Sequence, residues 1–194
     1  MSETNTNSDL KEIKDVKEVK NKHMLNLDIT TIIACVSDIT NDPDIATRFG
    51  NISEWKIKNP SVYQQILDEI ENPLLPKLNI LFNNKTLVVT KKAIDKTLEI
   101  IEALGSTQEK NRLQLFLKKL TVIPDDPSQE FIKLKSKNWS EYNKSIFGTS
   151  HKLDIPVVTG NLSLVSIILN DLEIDVLDVK PHRARCFVGE KYTT

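Results

Sequence analysis

Apolar and polar positions along the chain change period several times, and each change predicts a strand followed by a helix. Short apolar runs stand at 24–29, 86–90, 120–124, 155–159 and 174–179. Between these runs, apolar residues recur every three or four positions, as they do on one face of an amphipathic helix. Parallel strands need crossover connections, which are usually helical. The alternation therefore predicts an α/β protein with a central, mostly parallel sheet of about five strands.

Local signals indicate where several helices begin and end. Pro60 fits the first turn of a helix that runs to about Glu71, because proline is favoured at the first helical position. Ser106 and Glu109 have the spacing of a capping box at the start of another helix. In contrast, NPLLPKLNILF at 72–82 shows no clear period, and we expect irregular chain there.

The first residues differ in composition from the rest of the chain. Residues 11–20 repeat lysine, an acid and a β-branched residue every three positions, and this period drifts off a helix face. We expect a charged, disordered arm over residues 1–23 and a single domain over residues 24–194. A helix in the arm that binds a partner is the alternative reading of this charged repeat.

Composition narrows the classes of partner. The formal net charge of -1 gives no overall attraction to nucleic acid or to an anionic membrane, so binding of either needs a local patch. No apolar stretch reaches the roughly 20 residues of a membrane span, and MSETNTNSDL lacks the apolar core of a signal peptide. The two cysteines, far apart in sequence, do not have the spacing of a disulfide scaffold. We expect no membrane association, and the cytosol or the nucleus as the compartment.

Polar residues follow several predicted strands at their carboxyl ends. Asp28 ends the first strand, Asp95 lies in the helix after the second, and Asn161 follows the fourth. Sheets of this kind bind ligands at the carboxyl ends of their strands. Clustered carboxylates there often mark a Mg2+ or Mn2+ site, because the cation offsets their mutual repulsion. Structural roles compete with this interpretation, since acids favour helix starts and asparagine is a good helix N-cap.

Several segments also stand in a characteristic order along the chain. They are LDITTIIACVS, LVVTKKAIDKTLEII, VIPDDPS, IFGTSHKLDIPVVTGN and KPHRAR. In this order they resemble the PIN-like domains of metal-dependent nucleases, and more closely a eukaryotic PIN-like family catalogued as a domain of unknown function. The resemblance covers about residues 24–194 and implies a Rossmann-like three-layer fold.

The resemblance also implies site residues. In active PIN nucleases, three or four acids at the strand ends hold one or two Mg2+ or Mn2+ ions that activate water against RNA. By position, Asp28 and Asp95 match two of these metal ligands. The late acid falls on Asn161, and Asp154 is the carboxylate closest to a further one. Asp28, Asp95 and Asn161 would form the catalytic set, although Asn161 can ligate a metal only through its neutral carbonyl oxygen.

The last segment of the chain adds positive charge. Lys180, His182, Arg183 and Arg185 follow the last predicted strand, where they would contact phosphates or form a solvated tail. Because the late acid is an amide, we expect a degenerate nuclease-fold module that binds single-stranded RNA or a protein partner, with Mg2+ or Mn2+ bound weakly at most. The alternative is a Mg2+- or Mn2+-dependent endoribonuclease that hydrolyses RNA.

Overall fold

Five strands form one sheet at the centre of the molecule. The structure is a computed structural model that describes residues 23–48, 56–171 and 177–189. Its strands are β1 (Met24–Leu27), β2 (Thr86–Thr90), β3 (Leu120–Ile123), β4 (Val157–Thr159) and β5 (Val179–Pro181). They pair in the order β3-β2-β1-β4-β5, and every pair is parallel. The predicted α/β class is confirmed, whereas residues 1–22 of the predicted arm and residues 174–176 of the last predicted strand lie outside the described ranges.

Helices connect the strands and flank the sheet, which gives the predicted Rossmann-like three-layer fold. Across the described ranges, no helix is long and apolar enough to cross a membrane. The helices include α1 (Ile29–Val36), α2 (Asp38–Asn41), α3 (Ile45–Arg48), α4 (Pro60–Glu71), α5 (Leu74–Phe82), α6 (Lys91–Leu104), α7 (Thr107–Leu117), α8 (Gln129–Ile132), α9 (Glu141–Leu153) and α10 (Leu162–Asp171).

The central strand β1 is buried, as expected of a parallel sheet covered by helices. Leu25 and Leu27 contribute to the main apolar core. Asn26 between them is also fully buried, and its side-chain amide donates to the carbonyl oxygen of Ile146 at 3.1 Å and to Oγ of Ser150 at 2.8 Å. These two hydrogen bonds fix α9 against the strand.

The segment 72–82 is helical, so the prediction of irregular chain was wrong there. Pro73 is the N-cap residue of α5, and Pro76 lies in the first turn, where a backbone N–H has no partner within the helix. The two prolines mark the start of a helix rather than interrupting one. Leu74 and Leu78 are buried on its inner face.

The carboxylate of Glu109 joins three separate segments. Glu109 is fully buried and completes the predicted capping box with Ser106 at the start of α7. Its Oε1 also accepts the backbone N–H of Asp38 at 2.9 Å and that of Val188 at 3.0 Å, and its Oε2 accepts the N–H of Gly189 at 3.4 Å. One side chain therefore holds the start of α2, the start of α7 and the C-terminal segment together.

Replacing this carboxylate should destabilise the fold strongly. We expect Glu109→Ala to lower the free energy of unfolding by about 3 kcal/mol or more, because several buried N–H donors lose their acceptor. Urea unfolding followed by circular dichroism measures the change. Glu102→Ala is the control, since the Glu102 side chain is 80% exposed, and its effect should stay within about 0.5 kcal/mol. Equal unfolding midpoints for the two variants would contradict the role assigned to Glu109.

Candidate functional site

Asp28 lies between β1 and α1 at the carboxyl edge of the sheet, where it was predicted. It is buried, with only 4% of its surface exposed. Its backbone N–H donates to the carbonyl oxygen of Val158 at 3.0 Å, so the pairing of β1 with β4 continues up to this residue. The strand registers place Thr90 of β2 and Thr159 of β4 at the same level on either side. Asp28 is thus the central acid of this edge.

Two threonine hydroxyls join Asp28 to the turn after β4. Thr159 and Thr30 each donate to Oδ2 of Asp28, at 2.5 and 2.8 Å. The same hydroxyl oxygens accept the backbone N–H groups of Asn161 at 3.0 Å and Gly160 at 2.7 Å. A hydroxyl has one proton to donate and lone pairs that accept. Each threonine hydroxyl therefore connects the carboxylate of Asp28 to a backbone N–H group. The carboxylate therefore fixes the conformation of the turn formed by Thr159, Gly160 and Asn161.

The buried position of Asp28 has an electrostatic cost. Desolvation raises the pKa of its carboxyl group, and the hydrogen bonds from Thr159 and Thr30 partly oppose that shift. A buried carboxylate with a displaced pKa at a strand end is a frequent feature of functional sites. Among the described residues, hydrogen bonds stabilise this carboxylate, and no ion pair with a cation does.

His182 lies beside the same turn. Its backbone N–H donates to the carbonyl oxygen of Thr159 at 2.9 Å, and its Nε2 is 2.9 Å from Oγ1 of Thr31. Burial lowers the pKa of the imidazole, so His182 is neutral at pH 7. This residue was predicted as an RNA contact, but its Nδ1 also lies 2.9 Å from the carbonyl oxygen of Arg183, so both ring nitrogens have partners within the protein.

Two of the acids predicted as metal ligands do not lie around Asp28. Because α6 begins at Lys91, directly after β2, Asp95 falls in the second turn and not the first; its side chain is 53% exposed and pairs with Lys91. Asp154 is the left-handed C-cap of α9, with φ of 52°. It precedes β4, so it lies toward the amino end of that strand, whereas Asp28 lies at the carboxyl edge.

Asn161 lies close to Asp28, but its side chain already has a structural role. Its Oδ1 accepts the N–H of Leu164 at 3.1 Å, which caps α10. Within the described ranges, no three His, Cys, Asp or Glu side chains group as metal ligands. Mg2+ is often held by one or two carboxylates with waters completing its shell, and here Asp28 supplies one buried carboxylate while the side-chain oxygen of Asn161 is already used by the helix cap. The metal site stays a prediction, with Asp28 alone in the position it requires.

The four residues predicted as phosphate contacts line a single pocket. The pocket lies between α5 and the β4–β5 side of the sheet, and its volume is about 390 Å³. Lys77 of α5 adds a further cation, which the sequence analysis missed because 72–82 was read as irregular. The spacing of the three leucines at 74, 78 and 81 was the signal that would have predicted a helix there. The basic residues of the lining are Lys77, Lys180, His182, Arg183 and Arg185.

Acidic side chains outside the lining pair with three of these cations. The pairs are Asp178 with Lys180 at 2.8 Å, Asp68 with Arg183 at 2.7 Å and Glu69 with Arg185 at 2.8 Å. The side chain of Arg183 is 69% exposed, whereas that of Arg185 is 1% exposed. Arg185 is therefore a structural cation, while Lys180 and Arg183 keep donors that solvent or a ligand can reach.

The fold and the site together define an α/β protein with a Rossmann-like sheet, one buried acid at its carboxyl edge and a basic pocket beside it. The chain belongs to the family described as "Protein of unknown function (DUF1308)", whose sequence model matches residues 25–191. No significant match to a solved structure is found. Membership in a family of unknown function is thus confirmed, and the PIN-like nuclease assignment stays a prediction.

Two substitutions of Asp28 separate its hydrogen bonds from its charge. Asp28→Ala should lower the free energy of unfolding by about 2 kcal/mol, because both threonine hydroxyls lose their acceptor. Asp28→Asn keeps an acceptor oxygen and removes the cost of a buried charge, so it should stay within about 1 kcal/mol of wild type at pH 7. Urea unfolding of wild type and the two variants measures both effects. Equal losses of unfolding free energy in the two variants would contradict the role of the carboxylate as acceptor for the two threonine hydroxyls.

The pH dependence of stability tests the direction of the pKa shift of Asp28. Because the folded-state pKa of Asp28 is raised above the ordinary 3.8, the folded protein binds this proton at pH values where the unfolded chain has released it. The contribution of Asp28 to stability should therefore fall as pH rises above 3.8 and level off above the folded-state pKa. Subtracting the stability curve of Asp28→Asn from that of wild type isolates this contribution. A difference curve that rises with pH would contradict the assigned direction.

Proposed function

We propose that the protein is an RNA-binding module with a PIN-like nuclease fold, which binds single-stranded RNA and does not cut it. The observation that carries the proposal is the convergence of Lys180, His182, Arg183 and Arg185 on one pocket beside the carboxyl edge of the sheet. A phosphate-bearing ligand at this edge agrees with the general position of ligands on open parallel sheets. An RNA partner also agrees with the proposed cytosolic or nuclear location.

The chemistry of the pocket favours a single strand over a duplex and over a protein partner. Contacts between cations and phosphates supply the affinity that is independent of sequence. Apolar side chains line the pocket beside the cations, and an unstacked base gains from such contacts, whereas a duplex keeps its bases stacked inside. A neutral protein surface gains nothing from several cations around one small cavity, and an acidic peptide is the protein partner that would compete with RNA here.

The arrangement of the acids supports binding without cleavage. Asp95 is exposed and ion-paired, Asp154 precedes β4, and Asn161 caps α10. Only Asp28 keeps the position that a metal-dependent nuclease requires. The proposal therefore assigns no catalytic step to these residues.

Binding should depend on salt in a way that identifies the phosphate contacts. We expect a fluorescently labelled single-stranded RNA to bind the full chain at low salt, with affinity falling as salt rises. Lys180→Ala and Arg183→Ala should each weaken binding and reduce the slope of log affinity against log salt by about 0.7, the value per phosphate contact on single strands. Fluorescence anisotropy at several salt concentrations gives both quantities.

Lys118→Ala is the matched control, because Lys118 is an exposed lysine at the end of α7, before β3. It removes one charge at the amino side of the sheet and should leave the slope unchanged. The RNA-binding proposal fails when no RNA binds at low salt, or when the control weakens binding as much as the pocket variants do.

A metal-dependent endoribonuclease is the second candidate, and two observations at the carboxyl edge favour it. Asp28 is a buried acid with a raised pKa, a combination that is frequent in active sites. At the same level on β2, the hydroxyl oxygen of Thr90 is buried and has no hydrogen-bond partner among the described residues. Unpartnered buried polar atoms are uncommon in folded proteins and often have a functional reason. Mg2+ or Mn2+ would be the cofactor of this second candidate.

Incubation of the protein with single-stranded RNA and Mn2+ separates the two candidates. We expect intact RNA after incubation, under conditions where anisotropy shows that the RNA is bound. Cleavage that is lost in Asp28→Asn would favour the nuclease instead. Asp95→Asn then tests the predicted second ligand: if it also abolishes cleavage, the exposed Asp95 must move into the site during the reaction.

A further inference from the structure

We infer that the basic pocket binds one nucleoside monophosphate, either a free nucleotide or the terminally phosphorylated nucleotide of an RNA strand. The RNA source rests on the proposed function, whereas the pocket's fit to a free nucleotide does not. The inference is carried by the presence of cations from both walls, together with apolar side chains, in one cavity of about 390 Å³. That volume is within the range of roughly 300 to 1,000 Å³ that small-molecule sites occupy.

The cations of the cavity suit a phosphate with more than one negative charge. Lys77 is exposed, and no described residue forms an ion pair with it. Lys180 and Arg183 face the same cavity from the other wall, each paired with one aspartate. These three cations and two aspartates leave an excess of one positive charge. A terminal phosphate carries about -1.5 to -2 at pH 7, whereas a phosphodiester carries one charge, so the terminal group gains more.

The ion pairs of Lys180 and Arg183 leave both cations open to such a phosphate. The side chains of Lys180 and Asp178 are 43% and 47% exposed, and Arg183 is more exposed still. The Lys180 pair is open to water on both sides and contributes little stability, whereas Asp68 is only 16% exposed, so the Arg183 pair is open on the arginine side alone. A phosphate held by Lys77 can therefore draw Lys180 away from Asp178 at small cost, and it can reach the exposed donors of Arg183 beside Asp68.

The apolar side chains of the cavity account for the nucleoside part of the ligand. Leu74, Leu78 and Leu81 of α5 follow helical spacing, and Val158 lines the cavity from β4. Leu74, Leu78 and Val158 are buried, whereas Leu81 keeps part of its surface exposed at the cavity, and the face of a base would cover that part. The side chain of Asn72, at the end of α4, also lines the cavity. Its amide offers both a donor and an acceptor, which matches the edge of a base.

A buried ion pair holds the two walls in place. Oε2 of Glu69 accepts from Nε of Arg185 at 2.8 Å, and Oε1 of Glu69 accepts the backbone N–H of Leu74 at 2.9 Å. The segment that carries Lys180 and Arg183 is thereby tied to the first residue of α5. The pocket needs no rearrangement of its walls before a ligand enters, and such preorganisation favours binding.

Isothermal titration calorimetry with the full chain tests the inference. The probes are adenosine, adenosine and uridine 5′-monophosphate, and single-stranded RNA octamers that carry a 5′-phosphate, a 3′-phosphate or no terminal phosphate. We expect the monophosphates to bind at least about tenfold more tightly than adenosine, from charge-assisted hydrogen bonds to the phosphate. A terminal phosphate at one of the two ends should raise octamer affinity by about the same factor.

Two exposed positions provide variants that keep the fold. Lys77→Glu should lower monophosphate affinity about tenfold or more, because it replaces a phosphate contact by a repelling charge. Asn72→Ala should reduce discrimination between the adenine and uracil monophosphates. Lys118→Glu is the matched control, since it makes the same change of charge on the far side of the sheet and should leave nucleotide affinity unchanged.

The outcomes distinguish this inference from the proposed function. Octamers that bind equally with and without a terminal phosphate, together with monophosphates that do not bind, would overturn the inference and leave RNA binding standing. Monophosphates that bind and are lost in Lys77→Glu, while no octamer binds, would support the pocket and overturn RNA binding. A loss of equal size in Lys77→Glu and Lys118→Glu would overturn the inference, because the effect would then be one of overall charge.

Discussion

The hydrogen bonds of the Asp28 carboxylate are the constraint on which the candidate site depends. Asp28 and Thr159 are far apart in the chain and meet because β1 and β4 are neighbours in the sheet. Through two threonine hydroxyls the carboxylate sets the backbone of Gly160 and Asn161. A Cβ at Gly160 would be 3.0 Å from Cε1 of His182 and 3.2 Å from Cα of Ala184, so any other residue there would need the C-terminal segment to move back slightly. The position of the basic segment therefore follows from a buried acid that it does not itself pair with.

The C-terminal segment forms one side of the pocket because backbone hydrogen bonds hold it in place at several points. The backbone N–H of His182 donates to Thr159, that of Cys186 to Oε1 of Gln65 at 2.7 Å, and that of Val188 to Glu109. A solvated tail, the other interpretation of KPHRAR, would have left these amides to water. One anchor lies within the basic run and two follow it, which is why residues 182–185 have fixed geometry beyond the end of β5.

Local signals in the sequence predicted the fold well, and they predicted less of the site. The strand Thr86–Thr90, the helix Pro60–Glu71 and the capping box of Ser106 with Glu109 depend on neighbouring residues, and the structure has them as predicted. The orientation of Asp95 depends on where its helix begins. Because no loop separates β2 from α6, the helix starts at Lys91 and turns Asp95 to solvent, which the alternation of apolar residues does not reveal.

The basic pocket shows a second limit of sequence patterns, because it is assembled from segments that carry no common motif. Lys77 lines the pocket because residues 74–82 form a helix, which the sequence pattern did not predict. Arg183 and Arg185 are two residues apart and equally basic, yet one is exposed and the other is fully buried by Glu69. Nothing local distinguishes them, since the difference comes from α4, more than a hundred residues earlier.

That difference divides the cations of the pocket into two kinds. Breaking the buried pair of Arg185 with Glu69 would leave an uncompensated charge, at a cost of about 3 to 5 kcal/mol, so Arg185 holds its place whether or not a ligand is present. The pair of Arg183 with Asp68 is open to water on the arginine side and worth about 1 kcal/mol or less. A phosphate can compete for Arg183 and has little access to Arg185. Two arginines that the sequence does not distinguish thus have different roles: Arg185 positions the pocket, and Arg183 can bind a ligand.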